Sequence, residues 1–147
     1  MIETSFKFNF ASSDVIDSYA KRINDEYESG EIGYYHLPVL GQNLLGEIEE
    51  YEKGLAHIKN VVLVGIGGSS LGVKALKSML EGTNGIKREL LFLDNVDPCS
   101  YKSTLSGLNF DETLFIISSK SGNTIETITI FKCLLDDFKP QNLGKNF

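Results

Sequence analysis

Cysteine is scarce in this chain, which carries only Cys99 and Cys133. They stand far apart, form no C-x-x-C pair, and have only His36 and His57 as soft-metal companions. Neither a disulfide framework nor a thiolate metal site is expected, and two plain reduced thiols fit an intracellular setting. Long apolar runs are missing too, for none approaches the ~20 residues that a helix needs to span a bilayer. The opening Met1-Ile2-Glu3-Thr4-Ser5-Phe6-Lys7 has neither the basic start nor the apolar stretch of a signal peptide. A cytoplasmic protein with no membrane partner is the expectation. Clustered positive charge is the third absence. With a formal net charge of −6 and no Lys/Arg-rich stretch, the chain is not expected to bind nucleic acid, so any anionic ligand must be gripped locally. What remains is an ordinary globular composition, 41% apolar and 23% charged over 147 residues. That is enough for one domain with an appendage.

The pattern along the chain changes near residue 60. Asp14 to Glu28 reads as an amphipathic helix, with Val15, Ile16, Tyr19, Ala20, Ile23 and Tyr27 near a 3.6-residue period and Ser12 or Ser13 as cap. Gly30 and Gly33 break it, Gly33 to Pro38 reads as an extended connector, and Leu44 to Ile58 gives a second helix. From Asn60 onward, short apolar strands alternate with helices, the signature of β-α-β units and a parallel sheet. The strands are expected at Val61–Gly65, Leu90–Asp94 and Leu114–Ser118. The helix after the first is expected to bury Leu71, Ala75, Leu76, Met79 and Leu80. Asp97-Pro98 has the form of an N-cap followed by an N1 proline, with Gly107 placed to end that short helix. In the last helix Asn123 and Glu126 have capping-box spacing, and Ile125, Ile128, Phe131, Leu134, Leu135 and Phe138 form the inward stripe. Pro140 to Phe147 reads as a turn leading to the start of a fourth strand. A three-stranded parallel sheet is small, so we expect an N-terminal piece of a longer protein.

Two strand-to-helix junctions concentrate the chemistry. In Val61-Val62-Leu63-Val64-Gly65-Ile66-Gly67-Gly68-Ser69-Ser70-Leu71-Gly72, glycines clear side chains from where a ligand must approach the backbone, and Ser69 can cap the helix and donate to a phosphate oxygen. In Leu114-Phe115-Ile116-Ile117-Ser118-Ser119-Lys120-Ser121-Gly122-Asn123-Thr124-Ile125-Glu126-Thr127, hydroxyls crowd around Gly122. A helix start presents unpaired amides and the positive end of a dipole, so two of them side by side suit one phosphate. A dinucleotide fold is the rival, because Gly65-x-Gly67-x-x-Ser70 approximates its fingerprint and Asp94 ends the second strand where a ribose-binding acid is expected. The hydroxyl-rich second loop favours the sugar phosphate, since a dianion accepts from several hydroxyls and amides at once. Plain turn and cap formation explains the same small polar residues less completely. Lys120 either contributes its amide alone or adds its ammonium.

Together, Gly65-Ile66-Gly67-Gly68-Ser69-Ser70-Leu71-Gly72 and Ser119-Lys120-Ser121-Gly122-Asn123-Thr124-Ile125-Glu126-Thr127 resemble the glucose-6-phosphate isomerase family in its shorter bacterial form. Ile32-Gly33-Tyr34 to Leu37-Pro38 is similar to that family as well, and the likeness runs from about Ile32 to Phe147. The resemblance implies an α/β fold, a three-layer α-β-α sandwich with a parallel sheet known as a sugar-isomerase (SIS) domain. Here it is incomplete over 60–147 and preceded by a helical extension over 1–59. It implies that Gly68, Ser69, Ser119, Lys120, Ser121 and Thr124 hold the phosphate of glucose 6-phosphate or fructose 6-phosphate. The implied reaction is an aldose–ketose interconversion without metal or cofactor, through ring opening and proton transfer between C1 and C2 by way of a cis-enediol, in a full-length homodimer. The family's Gly-Gly-Arg motif, glutamate base, ring-opening histidine and C-terminal lysine have no counterpart before Phe147. We therefore expect no catalytic residue in this segment and no turnover by it alone, with Glu126 a capping or orienting group rather than the base. A non-catalytic SIS-type sugar-phosphate sensor is the alternative.

Overall fold

A computed structural model of the protein describes residues 14–83, 85 and 87–147. The chain divides into two compact units, one ending at Lys53 and the other running Gly54–Phe147. Among the described residues no helix is long and apolar enough to cross a membrane.

The first unit holds α1 (Asp14–Ser29), a 3-10 turn (Gly33–His36) and α2 (Leu37–Lys53). Its expected caps, Ser12 and Ser13, lie outside the described residues. Gly30 ends α1 with φ +69°, a conformation that glycine adopts without a Cβ penalty. Two expectations fail here. Gly33 to His36 is wound rather than extended, and α2 starts seven residues before Leu44 and stops at Lys53 instead of Ile58. Pro38 is compatible with the early start because the first-turn amides of a helix have no intrahelical acceptor. Gly54 follows the last helical residue. The turn is held by His36, whose Nε2 lies 3.0 Å from the Tyr27 carbonyl oxygen and whose ring centroid is 4.6 Å from that of Tyr27. No residue of α1 or α2 is buried.

The second unit is a three-stranded parallel sheet of β1 (Asn60–Val64), β2 (Glu89–Leu93) and β3 (Thr113–Ile117), in the order β2-β1-β3. Each strand begins and ends one residue before its expected position. The register pairs Val62 with Leu91 on one side and with Phe115 on the other. Val62, Leu63 and Val64 are all buried, as a central strand covered on both faces requires. Val62, Val64, Leu93 and Phe115 point to one face, where Ile130 and Leu134 of α5 (Ile125–Phe138) complete the core and Tyr101 and Leu105 of α4 (Pro98–Leu105) pack beside them. Leu63, Phe92 and Ile116 point to the other face, where α3 (Gly68–Leu80) brings the ammonium of Lys74 within 5.3 Å of the Phe92 ring centroid. The helices thus flank both faces of the sheet.

The Asp97 cap forms as the sequence indicates: its Oδ2 accepts from the Ser100 amide at 2.7 Å, Pro98 opens α4, and Gly107 follows the helix with φ +79°. Two other expectations are corrected, in α3 and in part of α5. The residues expected to be buried on α3 are exposed, with Leu71 61%, Leu76 57% and Met79 76% accessible; the buried residue of that helix is Ser70. On α5 the buried residues are Thr127, Ile130 and Leu134; of the expected stripe, Leu134 is buried, Phe138 packs against the core and Ile128, Phe131 and Leu135 are half-buried, while Ile125 is solvent-facing. The turn expected after Pro140 is a 3-10 turn, Leu143–Lys145, and the chain then meets the outer edge of β3, where the Asn146 carbonyl accepts from the Phe115 amide at 2.7 Å without extending into a strand. The Asn146 side chain donates to the carbonyls of Phe110 and Thr113 at 2.8 and 3.0 Å, and Phe147 stacks on Phe115 with centroids 5.1 Å apart.

Candidate functional site

The strand order places the site. From β1 the chain leaves through α3 toward β2 on one side, whereas β3 lies on the other side and leads into α5. The loops after β1 and β3 therefore diverge above adjacent strand ends, and a crevice opens between them, which is where open α/β sheets bind ligands.

The two loops are joined at the base of this crevice. The Ser118 amide donates to the Val64 carbonyl at 2.8 Å, and the Gly65 amide donates to the Leu93 carbonyl at 3.3 Å. A Cβ on Gly65 would sit 3.0 Å from the Ser69 Cβ and 3.1 Å from the Ser118 carbonyl oxygen, so a side chain there would crowd both loops. Gly67 turns the chain into α3 with φ 57° and ψ −121°, outside the regions open to L-residues. Its carbonyl accepts from the amides of Ser70 and Leu71 at 3.0 and 2.9 Å and from the Ser70 hydroxyl at 3.3 Å.

The second loop is organised by its hydroxyls. Ser119 Oγ lies 3.0 Å from Thr124 Oγ1 and accepts from the Gly122 amide at 3.1 Å, and Ser121 Oγ accepts from the Asn123 amide at 3.2 Å. Gly122, with φ +70°, closes the turn. Ile66, Gly68, Ser69, Lys120, Ser121 and Thr124 line the resulting cleft of about 540 Å³. Five of the six residues expected to form the site meet there. Ser119 is the exception, holding Thr124 and Gly122 from within its own loop. Ile66 was not anticipated; its place between Gly65 and Gly67, where a loop residue must project outward, was the available signal.

Both expected caps at this site are absent. Gly67, not Ser69, is the N-cap of α3, and Thr124 is that of α5 in place of an Asn123–Glu126 box; neither helix start is capped by a side chain. Elsewhere in the same unit Asp97 caps α4. Lys120 is the charged residue on the cleft lining, and no carboxylate or imidazole lies there. The arrangement can hold an anion with amides, hydroxyls and one ammonium, and its lining has no carboxylate or imidazole to serve as a general base.

The remaining candidates lie elsewhere. The Asp94 carboxylate is ion-paired with Lys74. His57, Cys99 and Cys133 are exposed and off the cleft lining. Among the described residues no group of three or more His, Cys, Asp or Glu could hold a metal ion.

Residues 46–146 match the family model described as phosphoglucose isomerase. The chain belongs to that family. The glucose-6-phosphate isomerase of Campylobacter jejuni is 45% identical over 149 aligned positions, which take in 100% of this chain and 37% of that protein. A probable glucose-6-phosphate isomerase of Methanococcus maripaludis is 33% identical, over 92% of this chain and 30% of its own length. Among solved structures, a hypothetical protein from Thermus thermophilus superposes with a TM-score of 0.70 at 28% identity, covering 87% of this chain and 31% of that one. A glucose-6-phosphate isomerase from Chlamydia trachomatis shares the fold with a TM-score of 0.59 at 21% identity, over 94% of this chain and 23% of its own. The chain thus spans about a third of the length of the phosphoglucose isomerases it matches.

Proposed function

We propose that this chain supplies the phosphate grip of a glucose-6-phosphate isomerase, the enzyme that interconverts glucose 6-phosphate and fructose 6-phosphate. The observation that carries the reading is the pair of helix starts, α3 and α5, that meet at one cleft with no side-chain cap on either. A phosphate dianion accepts from their amides and from the Ser69, Ser121 and Thr124 hydroxyls, while Lys120 adds its amide and its positive charge. Ser119 keeps Thr124 and the Gly122 turn in place. The grip fixes the sugar at its C6 end and leaves C1 and C2 outside the cradle. Isomerisation through a cis-enediol then requires a carboxylate to move the proton between C1 and C2, an acid for ring opening and a positive group at the developing oxyanion. No carboxylate or imidazole is on the cleft lining, and its one positive group, Lys120, serves the phosphate, so the chain alone binds and does not turn over. The same reading carries an SIS-type domain over 60–147 after a helical extension over 1–59, a cytoplasmic location and a homodimer of the full-length protein.

The test is a backbone-amide NMR titration of the chain with glucose 6-phosphate, unphosphorylated glucose and NAD. Shifts confined to residues 67–70 and 119–124, produced by the sugar phosphate alone, are the expected result. A methyl group at Gly68 meets nothing within 4 Å, so Gly68→Ala should weaken the response several-fold by standing in the cleft, without lowering the melting temperature. An NAD response that includes Asp94 would replace the reading with a dinucleotide site. Turnover of fructose 6-phosphate by the purified chain would refute the division between grip and chemistry.

A further inference from the structure

The helix that presents Gly68 and Ser69 is attached to the sheet in an unusual way. Ser70, Lys74 and Lys77 follow one another at four and three residues, so they share one face of α3. Ser70 is 1% exposed, and the two lysine ammoniums stand 5.3 and 6.0 Å from the Phe92 ring centroid. Leu71, Leu76, Met79 and Leu80 are exposed. The sheet-facing side of α3 is therefore polar and cationic, and burial of leucines does not hold this helix within its unit. One ion pair spans the gap: Lys74 Nζ on α3 binds Asp94 Oδ2 immediately beyond β2, with the two side chains 38% and 25% exposed. β2 is the neighbour of β1, whose loop leads into α3.

We infer that Lys74 is a positioning residue for the anion cradle, anchoring α3 to the end of β2 through Asp94 and the Phe92 ring and so setting where Gly68 and Ser69 stand. Lys74 is one helical turn beyond Ser70 and is not on the cleft lining, so it acts through the helix and not on the ligand. The Ser69–Gly65 approach and the seat of Ser70 fix the first turn of α3 against β1. Lys74–Asp94 fixes the helix's rotation about that point. The pair also gives Asp94 a role other than binding a ribose. This inference rests on the phosphate-grip reading, and its test separates the two.

Hydrogen exchange of the Ser70 and Leu71 amides, both bonded to the Gly67 carbonyl, reads closure of the first turn of α3 without ligand. The Ser118 amide, bonded to Val64, reads the other loop. Lys74→Met should speed exchange at Ser70 and Leu71 about threefold, the scale of a partly exposed ion pair, and leave Ser118 unchanged. Lys74→Arg should restore slow exchange, because a guanidinium can both pair with the carboxylate and lie over the ring. Asp94→Asn should reproduce the Lys74→Met effect, and inorganic phosphate should bind both variants about threefold more weakly. Unchanged exchange in Lys74→Met, or equal acceleration at Ser118, overturns the inference. If phosphate fails to bind even the unaltered chain, the grip reading falls, and the exchange result still decides the role of Lys74.

Discussion

Replacing Gly65 with alanine asks two loops to part. The added Cβ would lie 3.0 Å from the Ser69 Cβ, 3.1 Å from the Ser118 carbonyl oxygen and 3.2 Å from the Ser69 carbonyl oxygen. None of these is the far end of a flexible side chain. The Ser118 oxygen belongs to a residue whose amide is bonded to Val64 at 2.8 Å, and the Gly65 amide is bonded to Leu93 at 3.3 Å, so residue 65 and Ser118 do not move apart without stretching a bond at the end of the sheet. Over-packing of this kind costs about 2 kcal/mol. For a domain of this size that corresponds to roughly 10 °C in melting temperature. The same displacement widens the cleft, so the sugar-phosphate affinity of Gly65→Ala should fall as well. Thermal denaturation and amide NMR titration of the variant check both. If its melting temperature and phosphate response both match those of the unaltered chain, Gly65 does not join the two loops.

Two further outcomes follow from the same unit. Asp97→Ala removes the oxygen that accepts from the Ser100 amide and should cost about 1 kcal/mol, visible as a lower denaturation midpoint, with no change in phosphate binding. Tyr101 is held above the usual phenol range by burial and by its 2.8 Å hydrogen bond to the Asp137 carboxylate. The folded chain thus keeps this proton after the unfolded chain, with a phenol pKa of about 10, has lost its own. The resulting stability is fully present below about pH 10 and is lost as the pH rises through the folded value. Tyr101→Phe should make the alkaline limb of melting temperature against pH shallower, and an identical limb would show that this phenol does not titrate differently on folding.

Several features were legible because they depend on near neighbours in the chain. The three strands appear within one residue of their expected places since short apolar runs between turn residues leave little choice. Asp97-Pro98 capped α4 as read, because an N-cap needs only its own turn. The caps of α3 and α5 were misread for the complementary reason: Ser69, Asn123 and Glu126 have suitable chemistry and spacing, but the backbone put the helix starts at Gly67 and Thr124. The extended reading of Gly33 to Pro38 failed because glycine and proline signal a break and proline also suits a first helical turn.

The sequence by itself determined an α/β chain with parallel strands, a hydroxyl-rich loop and a glycine-rich loop before two helices, and the motifs shared with phosphoglucose isomerases. These are local patterns of polarity, size and spacing, and they survive in any arrangement of the elements. Only the tertiary structure decided that β1 lies between β2 and β3, which brings Ile66, Gly68 and Ser69 across a cleft from Lys120, Ser121 and Thr124. It also decided that α3 turns Ser70, Lys74 and Lys77 toward the sheet and its leucines outward, because periodicity identifies a helix's apolar stripe without saying whether anything in the same unit covers it.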